Sequence, residues 1–190
     1  MRRVFLIGLI VALTTGCTAG SATHGATRAD TIALLGGTYA AKIKTNLGEI
    51  HVELYADKAP KAVTNFVELA KKGFYDGLTF HRAIDGFVIQ GGDPRGDGTG
   101  GASIFGQPFE DERNDLRMER GAIAMANKGR NSNLSQFFII QRKGGAPWLQ
   151  NKHTIFGRVV EGMDIVDAIA KAATDEGDKP LEPIIFNVEL

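Results

Sequence analysis

Hydrophobic and polar residues change their period several times along this 190-residue chain. From Tyr39 the period is two: Tyr39, Ala41 and Ile43 alternate with Ala40, Lys42 and Lys44, then Asn46-Leu47-Gly48 turns the chain, and Ile50, Val52 and Leu54 alternate with Glu49, His51 and Glu53. Alternation sends successive side chains to opposite faces, which predicts a hairpin with one buried face. At Pro60 the period becomes helical, with Val63, Phe66, Val67 and Ala70 on one stripe and Gly73 at its end. Proline suits the first turn of a helix, and glycine ends one. Leu78 to Ile84 and Phe87 to Gln90 then flank Asp85-Gly86, a hairpin signal. Gly121 to Ala126 and Phe137 to Gln141 are apolar runs bounded by turn residues, fitting strands buried on at least one face. Ile155 to Val160 reads as a strand, Met163 to Lys171 as a helix and Ile184 to Leu190 as the last strand.

The pattern amounts to about eight strands, mostly consecutive, and two helices. Two helices cannot cover so much sheet, so the expected fold is mainly β: a closed eight-stranded antiparallel β-barrel capped by two α-helices. Within the Asp85-Gly86 hairpin, alternation puts Phe80, Arg82 and Ile84 on one face. A guanidinium stays charged at any working pH, so Arg82 must reach water or meet an acceptor.

The chain length suits one domain with a full core. Lysine plus arginine equals aspartate plus glutamate at 22 each, and that balance offers no footprint for nucleic acid or an anionic membrane surface. The amino terminus stands apart. Arg2 and Arg3 precede the apolar run Val4 to Leu13, too short to span a bilayer, and small residues follow up to Cys17, so residues 1–16 read as a secretory signal. Cys17 is the only cysteine, which rules out an intramolecular disulfide. Its place resembles the lipobox of bacterial lipoproteins, although Thr14 stands where leucine is usual. The resemblance implies acylation of Cys17; the Ala, Thr, Ser and Gly that follow without apolar periodicity read as a flexible tether, giving a lipidated cysteine and tether over 17–37 and a folded domain over 38–190. The protein would then be an exported lipoprotein facing the extracytoplasmic side, held to the membrane through its lipid alone.

The chemistry is defined partly by elimination. Ser135 is not in a Gly-x-Ser-x-Gly elbow, and nothing in the sequence couples it to His81 or His153. The four histidines are single and widely spaced, so no metal site and no cofactor is expected. The glycine-rich run Gly96 to Gly101 has no Gly-Lys-Ser/Thr and opens no helix, which argues against phosphate binding. What remains is an arginine, glutamines, a tryptophan and several phenylalanines. That inventory suits binding, or catalysis without covalent chemistry.

Phe80-His81-Arg82, Gly86-Phe87, Gln90-Gly91-Gly92-Asp93, Gly98-Thr99-Gly100-Gly101, Met125-Ala126-Asn127, Ser135-Gln136-Phe137-Phe138-Ile139, Trp148-Leu149 and Lys152-His153 resemble the cyclophilins in order and spacing, over roughly Tyr39 to Leu190. Cyclophilins are peptidyl-prolyl cis-trans isomerases built as eight-stranded barrels with two helices. The resemblance implies that Arg82 is catalytic, donating to the prolyl nitrogen as the amide twists. It also implies a proline pocket of Phe87, Val88, Phe138 and Leu149, peptide contacts from Gln90 and the backbone of Asn127, and a groove lined by Ala126, Gln136, Trp148 and His153. Proline-containing segments would be the partners, cyclosporin-type cyclic peptides would inhibit, and the protein would act as a monomer. Val88 departs from the methionine that many cyclophilins have, and Lys143 to Pro147 is longer than in compact members. Taken singly, Phe138 also reads as core, Trp148 as a loop anchor and Arg82 as a structural ion-pair residue. A non-catalytic proline-binding or chaperone module on the same fold is the alternative.

Overall fold

The computed structural model describes residues 32–190; the signal over 1–16, Cys17 and the tether up to Thr31 lie outside the described residues. Leu35 N–H donates to Thr64 Oγ1 at 2.8 Å, and the Gly37 carbonyl accepts from Ala56 N–H, so the chain is tied to the domain before its first strand.

The alternating pairs fold as the pattern predicts. β1 (Thr38–Thr45) and β2 (Gly48–Tyr55) form an antiparallel hairpin with Ile43 opposite Ile50 and Ala41 opposite Val52. α1 (Pro60–Lys71) follows, its Ala62, Val63, Phe66, Val67 and Ala70 buried. A carboxylate from far along the chain serves the amino end of this helix: Glu112 accepts from Lys61 N–H and Ala62 N–H, both at 2.8 Å. Those amides have no partner within the helix, and the macrodipole favours an anion there. Next come β3 (Leu78–Thr79), β4 (Arg82–Ala83), β5 (Val88–Gly91), β6 (Ala122–Met125) and β7 (Phe137–Ile140). A 3-10 turn (Pro147–Leu149), β8 (Ile155–Glu161), α2 (Met163–Ala170) and β9 (Ile185–Glu189) complete the chain.

The closed eight-stranded barrel is not what forms. Nine strands pair antiparallel in the order β3-β9-β1-β2-β8-β6-β7-β5-β4, and the sheet turns through 303° with its edges 9 Å apart, an open half-barrel capped by two helices. The ninth strand and the opening have one cause. Leu78 to Ile84, read as a single strand, breaks at Phe80-His81; β3 pairs with β9 at one edge while β4 pairs with β5 at the other. Phe80 and His81 are consecutive and both buried, which an unbroken strand with one wet face does not allow. The N–H groups on either side of the break go to Ile184 and Asp178 rather than across the gap.

The middle strands are covered on both sides. Ile89, Ile123, Met125, Phe137 and Ile139 point into the main core, where they meet Phe66, Tyr75, Phe156 and Phe186. Val88, Ala122, Ala124, Phe138 and Ile140 point outward into a second cluster with Met118, Ala146 and Ile155. Burial on both faces is why β6 and β7 read as continuous apolar runs instead of alternating. This second cluster forms the floor on which the functional site rests.

Gly92 closes β5 with φ near +85°, and a Cβ there would lie 2.5 Å from the Ser135 carbonyl oxygen. Both the left-handed backbone and the space exclude a side chain. Gly92→Ala is expected to cost at least about 2 kcal/mol, read as a lower urea midpoint at unchanged slope.

Candidate active site

Strand register assembles the site. Arg82 on β4 lies opposite Gln90 on β5, and Gln90 lies opposite Phe138 on β7. Phe138 is in turn opposite Ala124 on β6. Because side chains alternate, Val88, Gln90 and Phe138 share the outer face. There they meet the chain leaving β6 at Ala126-Asn127, the 3-10 turn at Leu149, and His153. The result is a cavity of about 200 Å³ lined by Arg82, Phe87, Val88, Gln90, Ala126, Asn127, Phe138, Leu149 and His153. Nine of the residues predicted for the groove therefore line one hollow.

Two do not. Gln136 stands behind Gln90: it accepts from Gln90 Nε2 at 2.9 Å and donates through its own Nε2 to the Gly98 and Gly100 carbonyls at 3.1 and 2.7 Å. It lines an adjoining hollow of about 80 Å³ with Gln90, Ala126 and Asn127. The glycine-rich loop thus serves as a backbone acceptor that orients two amides. Trp148 stands outside the cavity, 48% exposed, with its ring stacked on Phe87 at 6.0 Å between centroids. The Arg142 guanidinium lies 5.3 Å from the centre of the Trp148 ring.

Arg82 meets both of the fates open to it. Its Nε donates to Asp178 Oδ2 at 3.2 Å, and the side chain is 41% exposed. Among the described residues its terminal nitrogens make no hydrogen bond, and the residue lines the cavity. Asp178 escaped the sequence reading. It sits in a tight turn, with φ near +63°, where Asp175 Oδ1 accepts from Gly177 N–H and Lys179 N–H. The Asp-Glu-Gly-Asp run signals that turn, but nothing in it names Arg82 as the partner.

Asp111 escaped as well. Its carboxylate accepts from Asn133 Nδ2 at 2.9 Å, Asn131 N–H at 3.0 Å and Asn127 Nδ2 at 3.4 Å, so one acid braces the loop that carries Asn127. Ser135 is structural: its hydroxyl donates to the Gly92 carbonyl at 2.7 Å and accepts from Ala102 N–H at 3.1 Å.

His153 donates from Nδ1 to the Met125 carbonyl at 3.0 Å, which sets its tautomer, and its ring meets Phe138 edge-on at 5.1 Å. Burial holds its pKa below the ordinary 6.5, against an opposing pull from that carbonyl and from Asp111. His81 is also pushed below 6.5, chiefly by burial, and neither ring nitrogen has a partner among the described residues. In the window below 6.5 the unfolded chain binds protons that the native state does not, so stability falls as pH drops through it. Glu112, whose pKa burial raises, acts with the opposite sign nearer its ordinary 4.5. The expected result is a lower urea midpoint at about pH 5.5 than at about pH 7, with part of the difference removed in His81→Gln; equal midpoints would refute it.

Residues 40–189 match the family described as cyclophilin type peptidyl-prolyl cis-trans isomerase/CLD. The isomerase ppi1 of Schizosaccharomyces pombe is 51% identical over 145 residues, which are 75% of this chain and 92% of that protein. The Arabidopsis thaliana isomerase CYP71 is 53% identical over 147 residues, 76% of this chain, and the chain spans only 23% of that protein's length. A crystal structure of a cyclophilin type isomerase from Cryptosporidium parvum superposes with a TM-score of 0.76 at 38% identity, covering 80% of this chain and 96% of that one. The same protein crystallised in the presence of the dipeptide Ala-Pro gives a TM-score of 0.75 at 38% identity, over 79% of this chain and 97% of that one. Sequence match and superposed fold agree, and the chain belongs to the cyclophilin-type peptidyl-prolyl cis-trans isomerases.

Proposed function

We propose that this chain is a peptidyl-prolyl isomerase of exported or envelope proteins in which Arg82 lowers the rotational barrier. The observation that carries the reading is Arg82, held by Asp178 through Nε and lining a hollow of about 200 Å³ together with Phe87, Val88, Phe138 and Leu149. Rotation about an X–Pro bond is slow because the nitrogen lone pair is delocalised into the carbonyl, with a barrier of about 18–20 kcal/mol. Taking a relaxation of tens of seconds to about a millisecond needs roughly four decades, or about 5.5 kcal/mol. No bond has to break. As the amide twists, its nitrogen becomes pyramidal and its lone pair becomes an acceptor. A hydrogen bond from Arg82 is then stronger in the twisted state than in either planar isomer, which is the condition for lowering a barrier. Phe87, Val88, Phe138 and Leu149 receive the proline ring, while Gln90 and the Asn127 backbone hold the peptide.

The test is exchange between cis and trans isomers of an Ala-Pro peptide, followed by NMR with the purified protein. Saturable binding without faster exchange would reduce the protein to a binding module. Inhibition by a cyclosporin-type cyclic peptide belongs to the same proposal, supported by the exposed Trp148 ring stacked on Phe87, and the same exchange measurement reads it.

The export part of the proposal is supported by Arg2-Arg3, the apolar run Val4 to Leu13 and the single Cys17. The attachment proposed is the lipid on Cys17. In cells expressing the full chain, palmitate label is expected on the wild-type protein and absent from Cys17→Ser; equal labelling of the two would sink the anchor.

A further inference from the structure

The even charge balance of the chain conceals a polar distribution. Residues 120–160 hold seven cationic side chains and no carboxylate: Arg120, Lys128, Arg130, Arg142, Lys143, Lys152 and Arg158. All 22 carboxylates of the chain lie outside that stretch, with the other 15 cationic residues. The same stretch supplies Ala126, Asn127, Phe138, Leu149 and His153 to the cavity. It also brings the loops that stand around it.

Of the seven, Arg120 is committed to Asp167 and Arg158 lies opposite Glu53 in the strand register. The other five are exposed, on the chain segments 127–133 and 142–152 that flank the cavity, and none has a carboxylate partner among the described residues. Arg142 is posed on Trp148, which stacks on Phe87 of the cavity wall. Lys152 offers its carbonyl to Asn127 Nδ2 at 3.0 Å and adjoins His153. Lys128 lines the adjoining hollow and donates to the Thr99 carbonyl at 3.0 Å. On the opposite wall Arg82 is answered by Asp178. Among the described residues Asp111 is the one carboxylate that hydrogen-bonds to these segments, where it is taken up by Asn127, Asn131 and Asn133, so the side carries more cations than acids, and a concave floor concentrates such a field.

We infer that the substrates are proline-containing segments with acidic flanks, drawn and held by the cations of the 127–133 and 142–152 segments. The inference rests on the isomerase reading and names its substrate class. A backbone lying in the hollow leaves the side chains on either side of the proline within reach of this rim. Aspartate or glutamate there gains an opposite charge, and lysine or arginine meets a like one.

The test uses the full chain and three otherwise identical peptides carrying glutamate, glutamine or lysine on both sides of an Ala-Pro bond. Isomer exchange is measured by NMR without a coupling protease. The expected order of kcat/KM is glutamate, glutamine, lysine, with roughly a fivefold span at low salt that shrinks towards one near 0.5 M salt, where charges more than about 4–5 Å apart are screened. The triple variant Arg130→Gln/Lys143→Gln/Lys152→Gln keeps the glutamine peptide's rate and loses most of the span. Equal rates on the three peptides in the wild type overturn the inference. So does an unchanged span in the variant. Equal rates together with sedimentation on vesicles rich in an anionic phospholipid overturn it too, by assigning the cations to a membrane surface. Absence of exchange with the glutamine peptide counts instead against the isomerase reading itself.

Discussion

Arg82→Ala is expected to lower kcat/KM for an Ala-Pro peptide by about 10²–10³-fold, the usual cost of removing one donor aimed at charge that develops in a transition state. The loss falls on kcat, because the interaction forms fully only when the amide is twisted. Arg82→Lys should recover little. Lysine offers a point charge without the planar fork that lets Nε hold Asp178 while the terminal nitrogens stay unpaired. Folding should hardly change. The Arg82–Asp178 pair is 41% and 43% exposed, and such ion pairs contribute about 0–1 kcal/mol. A urea titration beside the exchange measurement separates the two effects: a variant that loses activity only in step with stability would make Arg82 structural, and a variant with wild-type kcat would remove it from the mechanism.

Phe137→Ala is expected to have the largest effect on stability, about 3–5 kcal/mol. Its ring is fully buried and sits at the centre of an aromatic cluster, 5.5 Å from Phe66, 5.8 Å from Phe186, 6.1 Å from Tyr75 and 6.2 Å from Phe80. Helix α1, the chain after it, the β3 edge and β9 all converge on that ring, so the cavity left behind cannot collapse from one side. For a domain with a total stability of roughly 5–15 kcal/mol this is a large fraction. The neighbouring Phe138→Ala faces the other way, into the floor of the site and against His153. It should raise KM more than it lowers the urea midpoint. If the two substitutions gave the same balance of stability and KM, the division of β7 into a core face and a site face would be wrong.

That division shows how much the sequence could tell. Phe137 and Phe138 are adjacent, of one type and both buried, so no pattern in the run assigns one to the fold and the other to the site. Resemblance to the cyclophilins named Phe138, and the strand register then set it on the outer face with Gln90. Asp178 and Asp111 lay beyond reach for another reason. Each acts through partners 96 and between 16 and 22 positions away, and a lone aspartate in a polar run looks like any solvated turn. The cationic stretch 120–160 was legible but hidden by the even total. A whole-chain charge cannot show that one stretch lining a groove carries cations and no carboxylate of its own.

Alternation, helical spacing, Pro60 and the Asp85-Gly86 turn determined by themselves that this is a mainly β chain with two helices, because period and turn chemistry are local properties of the backbone. The ordered motifs determined the family. Closure was decided only in three dimensions. Whether Leu78 to Ile84 runs as one strand or two depends on where Phe80 and His81 find burial and on which distant carbonyls, Ile184 and Asp178, take the flanking N–H groups. Those partners come from the last sixteen residues of the chain. The break that opens the barrel thereby leaves Arg82 on an edge strand, paired with a turn acid and lining the cavity.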